Sequence, residues 1–210
     1  MAETIPVKAP SAATPDVRHT VLVVDDTDAN RYSVSRWLRG AGYDVIEAAT
    51  GAEALEQART HPDLMVLDVR LPDTSGFDVL RTLRADPMLA EIPVIHLSAS
   101  FTTSEWRTHG LEAGADAFLT HPVEPRELVA TVRSLLRVRE AEKRVRTAAR
   151  EWRATFDALD HGVVLLDDEG RVIRCNRSMA TLLGRDFPQI IARPLGALAG
   201  RLDSGLSDKL

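Results

Sequence analysis

The sequence predicts an α/β fold, because short apolar runs alternate with amphipathic stretches five times after residue 20. The apolar runs are rich in β-branched residues, which is typical of strands buried in a parallel sheet. Residue 47 of the second run is a glutamate, so that run is the most polar of the five. The predicted strands are 21–24, 45–48, 64–67, 94–97 and 117–119.

Helical periodicity fills the segments between the predicted strands and continues after the last one. The predicted helices are 30–39, 52–59, 77–84, 104–113 and 125–137. Gly40 and Gly114 stand where helix C-caps are expected, and Pro125 suits a first helical turn. Five such units with right-handed crossovers fit the flavodoxin-like strand order 2-1-3-4-5, with helices on both faces of the sheet.

The composition is that of an ordinary globular chain. Of its 210 residues, 44% are hydrophobic and 27% are charged, which suits one large or two small domains. A formal net charge of −5 argues against nucleic acid as the main partner, and no apolar run is long enough to span a bilayer. The single cysteine, Cys175, fits a reducing cytoplasm, and residues 1–18 are predicted to form a disordered tail without a secretory signal.

A charged helical linker is predicted over residues 139–159, after a first domain over residues 19–138. The linker region carries a weak heptad pattern, in which one set of residues recurs every seven positions and small residues follow the first three of them by three. The two sets are Val138, Val145, Trp152 and Leu159, and Ala141, Ala148 and Thr155. One interpretation is a surface helix with one apolar stripe, and the other is a parallel coiled coil that makes the chain a homodimer.

Residues 160–210, after the linker, form the last predicted part. In GVVLLDDEGRVIRCN, two apolar runs flank an Asp-Asp-Glu-Gly turn, which predicts a β-hairpin. A short helix over 178–183 should follow and end at Gly184. No further strand is readable before Leu210, so an open half-sheet is expected that a continuing chain or a partner would complete.

Polar side chains stand at or next to the carboxyl ends of four predicted strands. Parallel strands one, three and four are neighbours in this topology, so these side chains should converge in one crevice. The convergent residues are Asp25, Asp26, Asp68, Ser98 and His121.

Carboxylates that meet at one point repel each other unless a cation lies between them, and Mg²⁺ prefers such oxygen ligands. A carboxylate is also a competent nucleophile for phosphoryl transfer. The hydroxyl of Ser98 could hydrogen-bond a phosphoryl oxygen, and the small Ala99 leaves room for the group. A lone Asp-Asp pair would more simply be a loop or a helix cap, but Asp68 and Ser98 at two further strand ends argue against that.

Four segments, VLVVDDTDANR, MVLDVRLPDTSGFDVLRTLR, IPVIHLSAS and GLEAGADAFLTHPVEPREL, resemble receiver domains of response regulators and hybrid kinases. The resemblance implies that Asp68 is phosphorylated by the phosphohistidine of a partner histidine kinase or phosphotransfer protein. It implies Mg²⁺ bound by Asp25, Asp26, Asp68 and the backbone carbonyl of Arg70. It further implies phosphoryl contact and switching roles that we assign to Ser98, Ala99, Phe118 and His121.

His121 departs from the family pattern, which has lysine before the proline at this point. One hypothesis is that a protonated His121 partly replaces the lysine and makes the output pH-sensitive. In that case His121→Ala and the unmodified chain would respond differently between about pH 6 and 8. The alternative is that His121 is a bystander and the domain signals weakly or differently. A rival function for the whole domain, which His121 favours, is a pseudo-receiver that acts as a binding or dimerisation module without phosphorylation.

The segment TFDALDHGVVLLDDEGRVIRCNRSMATLLGR resembles the start of a PAS sensor domain, so the whole resembles the N-terminal part of a sensor kinase. Neither a phosphorylatable histidine box nor a Gly-rich ATP-binding segment is readable, so a phospho-acceptor rather than an enzyme is expected. A DNA-binding regulator would need a helix-turn-helix, and none is readable. A phosphatase of similar topology would need an acid/base two residues after the nucleophile, where Arg70 stands.

Overall fold

A computed structural model of the chain describes residues 18–98 and 114–199. The predicted helix 104–113, Ala99 and most of the predicted N-terminal tail lie outside the described residues. The chain divides into two compact units, Met1–Glu140 and Ala141–Leu210, which we describe separately.

The first unit contains a parallel five-stranded sheet in the order β2-β1-β3-β4-β5. This order confirms the predicted flavodoxin-like topology. In register, Leu22 of β1 pairs with Ile46 of β2 and Met65 of β3, and Ser98 of β4 pairs with Thr120 of β5. The strands are β1 Thr20–Val24, β2 Asp44–Ala48, β3 Leu64–Asp68, β4 Val94–Ser98 and β5 Ala117–Thr120.

Alternation of side chains along the strands divides the core into two layers, one on each face of the sheet. One layer packs α2 and α3 on strand residues such as Leu22 and Met65. The other packs α1 and the start of α4 on residues such as Val23 and Val66. The helices are α1 Asp28–Gly40, α2 Gly51–Ala58, α3 Gly76–Ala85 and α4 Pro125–Asp157.

Two details of the helices differ from the sequence predictions. Gly40 is the last residue of α1 rather than its cap; the left-handed position is Gly42, with a φ of 94°. The helix predicted to end at residue 137 continues without a break to Asp157, because no glycine or proline follows Pro125 within it. Leu159, the last residue of the predicted heptad pattern, therefore lies beyond the helix.

The second unit contains the predicted hairpin, with β6 Val164–Leu166 antiparallel to β7 Val172–Cys175. The helix α5, Arg177–Leu183, ends at Gly184, whose φ of 61° is left-handed as expected for a C-cap glycine. Two short helices follow, α6 Phe187–Ile190 and α7 Leu195–Ala199. Up to residue 199, the described part of this unit adds no further strand to the hairpin.

Asn176 joins the hairpin to the preceding helix within this unit. Its side chain is fully buried, and its Nδ2 lies 3.2 Å, 3.3 Å and 2.8 Å from the carbonyl oxygens of Phe156, Leu159 and His161. Its Oδ1 accepts from the backbone N–H of Val163 at 2.9 Å and of Met179 at 3.0 Å. One amide therefore satisfies carbonyls at the C-terminal end of α4 and also caps α5.

Among residues 18–98 and 114–199, no helix is both long enough and apolar enough to cross a membrane. The longest helix, α4, is rich in arginine and glutamate along its whole length.

Candidate functional site

Three carboxylates meet at the carboxyl edge of the parallel sheet. Asp25 and Asp26 directly follow β1, and Asp68 is the last residue of the neighbouring strand β3. One oxygen from each of the three lies within 4.8 Å of the others. The strand order thus produces the convergence that the sequence predicts.

Asp25 is the most constrained member of this cluster, at only 2% exposure. Its Oδ1 accepts from the backbone N–H of Thr27 at 2.8 Å, and Arg31 donates to its backbone carbonyl at 2.7 Å. Its Oδ2 is buried and has no hydrogen-bond partner among residues 18–98 and 114–199. A buried carboxylate oxygen without a donor suits a ligand that is itself positive.

The protonation behaviour of the cluster reflects its crowding. Burial, reinforced by the neighbouring charges of Asp25 and Asp26, raises the pKa of Asp68 to about 6, against the hydrogen bonds from Arg70 and Val69 N–H. Burial also raises the pKa of Asp25, against a hydrogen bond from Thr27 and the proximity of His121. Full ionisation of all three carboxyl groups is therefore unfavourable unless a cation shares the pocket.

Close packing behind Asp68 depends on Gly76, the first residue of α3. A Cβ at this position would lie 2.3 Å from the Asp68 backbone oxygen and 3.0 Å from the Cα of Val69. The Gly76 N–H donates to the carbonyl of Val69 at 2.9 Å, so the loop after β3 folds directly back on the strand end. A glycine is required here because the backbone approach leaves no space for a side chain.

The loop after β3 also holds the start of α2 through Asp73. The Asp73 carboxylate accepts from the N–H groups of Gly51 at 2.8 Å and Ala52 at 2.9 Å. These bonds lower the pKa of Asp73, as expected for a carboxylate at a helix N-terminus. Asp73 and Gly76 are not among the residues predicted from the sequence, and the signal for them is the dense turn composition of PDTSG.

The strand β4 contributes the Ser98 hydroxyl and the His96 ring to the region around the three carboxylates. Ser98 is 1% exposed at the end of β4, and its carbonyl accepts from the His121 N–H at 2.8 Å. Phe118 of β5 lies beside His96, with ring centroids 6.0 Å apart, and Phe77 of α3 lies on His96 at 5.0 Å. The fully buried His96 is thus a packed strand residue, and its ring contacts both Phe77 of α3 and Phe118, the predicted switch residue.

His121 stands at the position where the family has lysine, and its peptide bond to Pro122 is cis. Its Nε2 is buried and has no hydrogen-bond partner in the described part of the chain. It is close enough to Asp25 for its charge to favour the ionised form of that carboxylate and so to lower its pKa. The backbone carbonyl of Arg70 stays a prediction as a metal ligand, and Ala99 lies outside the described residues.

The donor set fits a small hard cation. All three side chains offer carboxylate oxygens, none offers nitrogen or sulfur, and a buried Asp25 oxygen has no donor in the described ranges. Such a cluster can hold a divalent ion and place a carboxylate beside it, which is an arrangement suited to phosphoryl transfer.

Comparisons with known proteins agree with this geometry. Residues 21–133 match the response regulator receiver domain family, and residues 150–209 match the PAS domain family. The chain is 41% identical over 168 residues to the transcriptional regulatory protein PrrA of Mycobacterium leprae, covering 80% of this chain and 67% of PrrA. It is 41% identical over 127 residues to the DNA-binding response regulator MtrA of Mycolicibacterium smegmatis, covering 60% of this chain and 54% of MtrA.

A solved structure of the chemotaxis response regulator CheY4 of Vibrio cholerae superposes with a TM-score of 0.53 at 33% identity, covering 56% of this chain and 98% of that one. The chain thus spans about half to two thirds of the length of the two curated relatives, and it matches 98% of the CheY4 chain. Through residues 21–133 the chain belongs to the response regulator receiver domain family, and a PAS-family segment follows.

Proposed function

We propose that this chain is a phosphorelay acceptor that takes a phosphoryl group on Asp68 from a partner histidine kinase or phosphotransfer protein, in a Mg²⁺-dependent reaction. The observation that carries the proposal is the meeting of three carboxylates, in which the pKa of Asp68 is raised to about 6 by burial and by its neighbours. Carboxylates that repel one another in a buried pocket are stabilised by a bound cation, and a cation would also attract an incoming phosphoryl group.

In the proposed reaction, a carboxylate oxygen of Asp68 attacks the phosphorus of the donor phosphohistidine. The new O–P bond forms as the N–P bond breaks, and the departing imidazole takes its proton from water. Asp25, Asp26 and Asp68 would hold Mg²⁺, and the bound ion would neutralise charge on the phosphoryl oxygens. Ser98 would hydrogen-bond one of those oxygens, and the backbone around Asp68 keeps the nucleophile in place through Gly76.

We further propose that phosphorylation alters the packing of Phe118 and that the change passes along α4 to the PAS-like segment. Phe118 lies on β5, and α4 begins five residues after that strand ends. The helix has no internal break, so a displacement at its start can be carried along its length. On this reading the chain works in the cytoplasm as a signalling module rather than as an enzyme on a small substrate.

The test is intact mass after incubation with a small phosphodonor and Mg²⁺. We expect the unmodified chain to gain one phosphoryl group and Asp68→Asn to gain none, because an amide is not a competent nucleophile here. Omission of Mg²⁺ should prevent the gain. Circular dichroism of Asp68→Asn checks that the fold is retained.

A second candidate function is a pseudo-receiver that binds partners without phosphorylation. The observation that favours it is His121, whose buried ring nitrogen has no partner among the described residues and which replaces a permanently charged lysine. The same mass experiment separates the two functions. A folded chain that gains no mass with Mg²⁺ and phosphodonor supports the pseudo-receiver.

Mg²⁺ should raise the thermal stability of the chain strongly at pH 8 and weakly at pH 5. The ligands bind the ion as carboxylates, and protonation of Asp68, whose pKa is about 6, competes with the ion as the pH falls. Scanning fluorimetry with and without MgCl₂ across this pH range measures the shift in Tm. Asp26→Asn should lose most of the shift, and an equal shift at both pH values would contradict the assignment of Asp68 as a ligand.

A further inference from the structure

A stripe of apolar side chains on α4 is exposed in the single chain. Val138 is 51% exposed, Val145 70% and Trp152 41%, although these are large hydrophobic residues. Ala141 and Ala148 lie between them on the same helix face and are also exposed. From residue 140 to residue 150 every position of the helix is exposed, so no described residue buries the stripe over this part of the helix.

The spacing of the stripe is that of a coiled-coil seam. The large residues recur every seven positions, and Ala141 and Ala148 follow the two valines by three, which places them at the a and d positions of a heptad. Small d residues allow two helix backbones to approach closely, and β-branched valine is a residue type found at the a positions of two-stranded parallel coiled coils. Trp152, at the C-terminal end, already stacks on Phe156 at 4.6 Å and under Arg174 at 4.6 Å, so the free seam is Val138–Ala148.

We propose that this seam pairs with the same seam of a second copy, as a short parallel two-stranded coiled coil. A seam whose residues are alternately three and four positions apart packs against a helix with the same spacing. A second copy of the chain provides such a helix by symmetry. This interaction goes beyond phosphoryl transfer at Asp68 and does not depend on it.

The charges beside the seam agree with a parallel, in-register pair. Each g residue of one helix then faces the e residue five positions later in its partner. Arg137 would face Glu142 of the second copy, Arg144 would face Ala149, and no pair in this register brings like charges together. At the outward f and b positions, Lys143, Arg150 and Arg153 are exposed and lie away from the seam.

Cysteine cross-linking tests the orientation directly, because Cys175 is the only cysteine and is buried. In a parallel pair the two Val138→Cys residues face each other, within the reach of a disulfide. In an antiparallel pair centred on the seam they would be about 15 Å apart along the helix axis and could not link. We expect Val138→Cys and Val145→Cys to form covalent dimers under mild oxidation, several-fold faster than Lys143→Cys on the outward face. Equal rates for Val138→Cys and Lys143→Cys would overturn the proposal.

A charge placed in the seam provides a second test that needs no cysteine. Light scattering of the full chain over a range of concentrations should show a shift from monomer to dimer mass. Val145→Glu should remain monomeric, because it would place two carboxylates against each other in the seam. Thr147→Glu, an exposed position off the seam, should behave as the unmodified chain. A chain that stays monomeric throughout, or a Val145→Glu variant that dimerises normally, would refute the proposal.

Discussion

Replacing Asp68 with asparagine is expected to raise the stability of the metal-free first unit at pH 8. In the folded chain, burial and the charges of Asp25 and Asp26 raise the pKa of Asp68 from 3.8 to about 6. Ionisation at pH 8 therefore destabilises the folded state relative to the unfolded chain. An asparagine cannot ionise, so this penalty is absent from the variant.

The size of the effect follows from the change in pKa. A change of one pKa unit corresponds to about 1.4 kcal/mol of stability, and the partial exposure of the carboxylate reduces this contribution. We therefore expect the free energy of unfolding to rise by on the order of 1–2 kcal/mol. For a domain of this size that gain corresponds to a rise in Tm of about 4–8 °C. The gain should be complete above about pH 6 and should vanish as the pH falls toward 3.8, where the carboxyl is neutral in both states.

Thermal unfolding between pH 4 and pH 8, with chelator present, measures this prediction. Asp44→Asn is the matched control, since Asp44 is exposed at the start of β2, at the opposite end of β2 from the strand ends that form the pocket. Addition of Mg²⁺ should make the unmodified chain the more stable of the two, because the ion binds a site with three carboxylates more tightly than a site with two. If Asp68→Asn were less stable than the unmodified chain at pH 8 without metal, the repulsion argument would be wrong.

Asn176→Ala is expected to destabilise the second unit by about 3 kcal/mol or more. The substitution leaves the N–H groups of Val163 and Met179 and the carbonyls near the end of α4 without their buried partner. Each buried polar group left unsatisfied costs about 1–3 kcal/mol, and loss of a helix N-cap costs about 1 kcal/mol. Because this unit has a small core of its own, such a loss is a large share of its stability.

Two further variants separate the roles of the Asn176 amide. Asn176→Asp keeps an oxygen that can cap α5, but its carboxylate cannot donate to the carbonyls of Phe156 and His161. We expect it to be nearly as unstable as the alanine variant. Ser178→Ala removes an exposed hydroxyl that donates to Leu159 and should cost under about 1 kcal/mol.

Hydrogen exchange of the amides in β7 and α5 is the measurement. Exchange there should accelerate strongly in both Asn176 variants and little in Ser178→Ala, while amides of the first-unit sheet are unchanged. Near-normal protection in Asn176→Ala would show that the end of α4 is held by other contacts.

The sequence alone determined the strand order of the first unit and the convergence of Asp25, Asp26 and Asp68. Strand and helix periods are local signals, and in a parallel sheet the residue that follows a strand lies at a known edge. The hairpin of the second unit was predictable for the same reason, because two apolar runs flank a turn ending in Gly170, which has a φ of 74°. The residue types at these positions then indicated the chemistry.

Only the tertiary structure decided the contacts that join distant parts of the chain. Asp73 caps α2 across 22 residues, and Asn176 reaches the end of α4 across 20. Neither contact produces a periodic pattern in the sequence, because the partners are backbone N–H and C=O groups, which almost every residue has. The exposure of Val138 and Val145 was likewise undecidable from periodicity, since a heptad stripe looks the same whether it packs on its own domain or faces water. Burial depends on what the rest of the chain brings to that face, and only the folded chain contains that information.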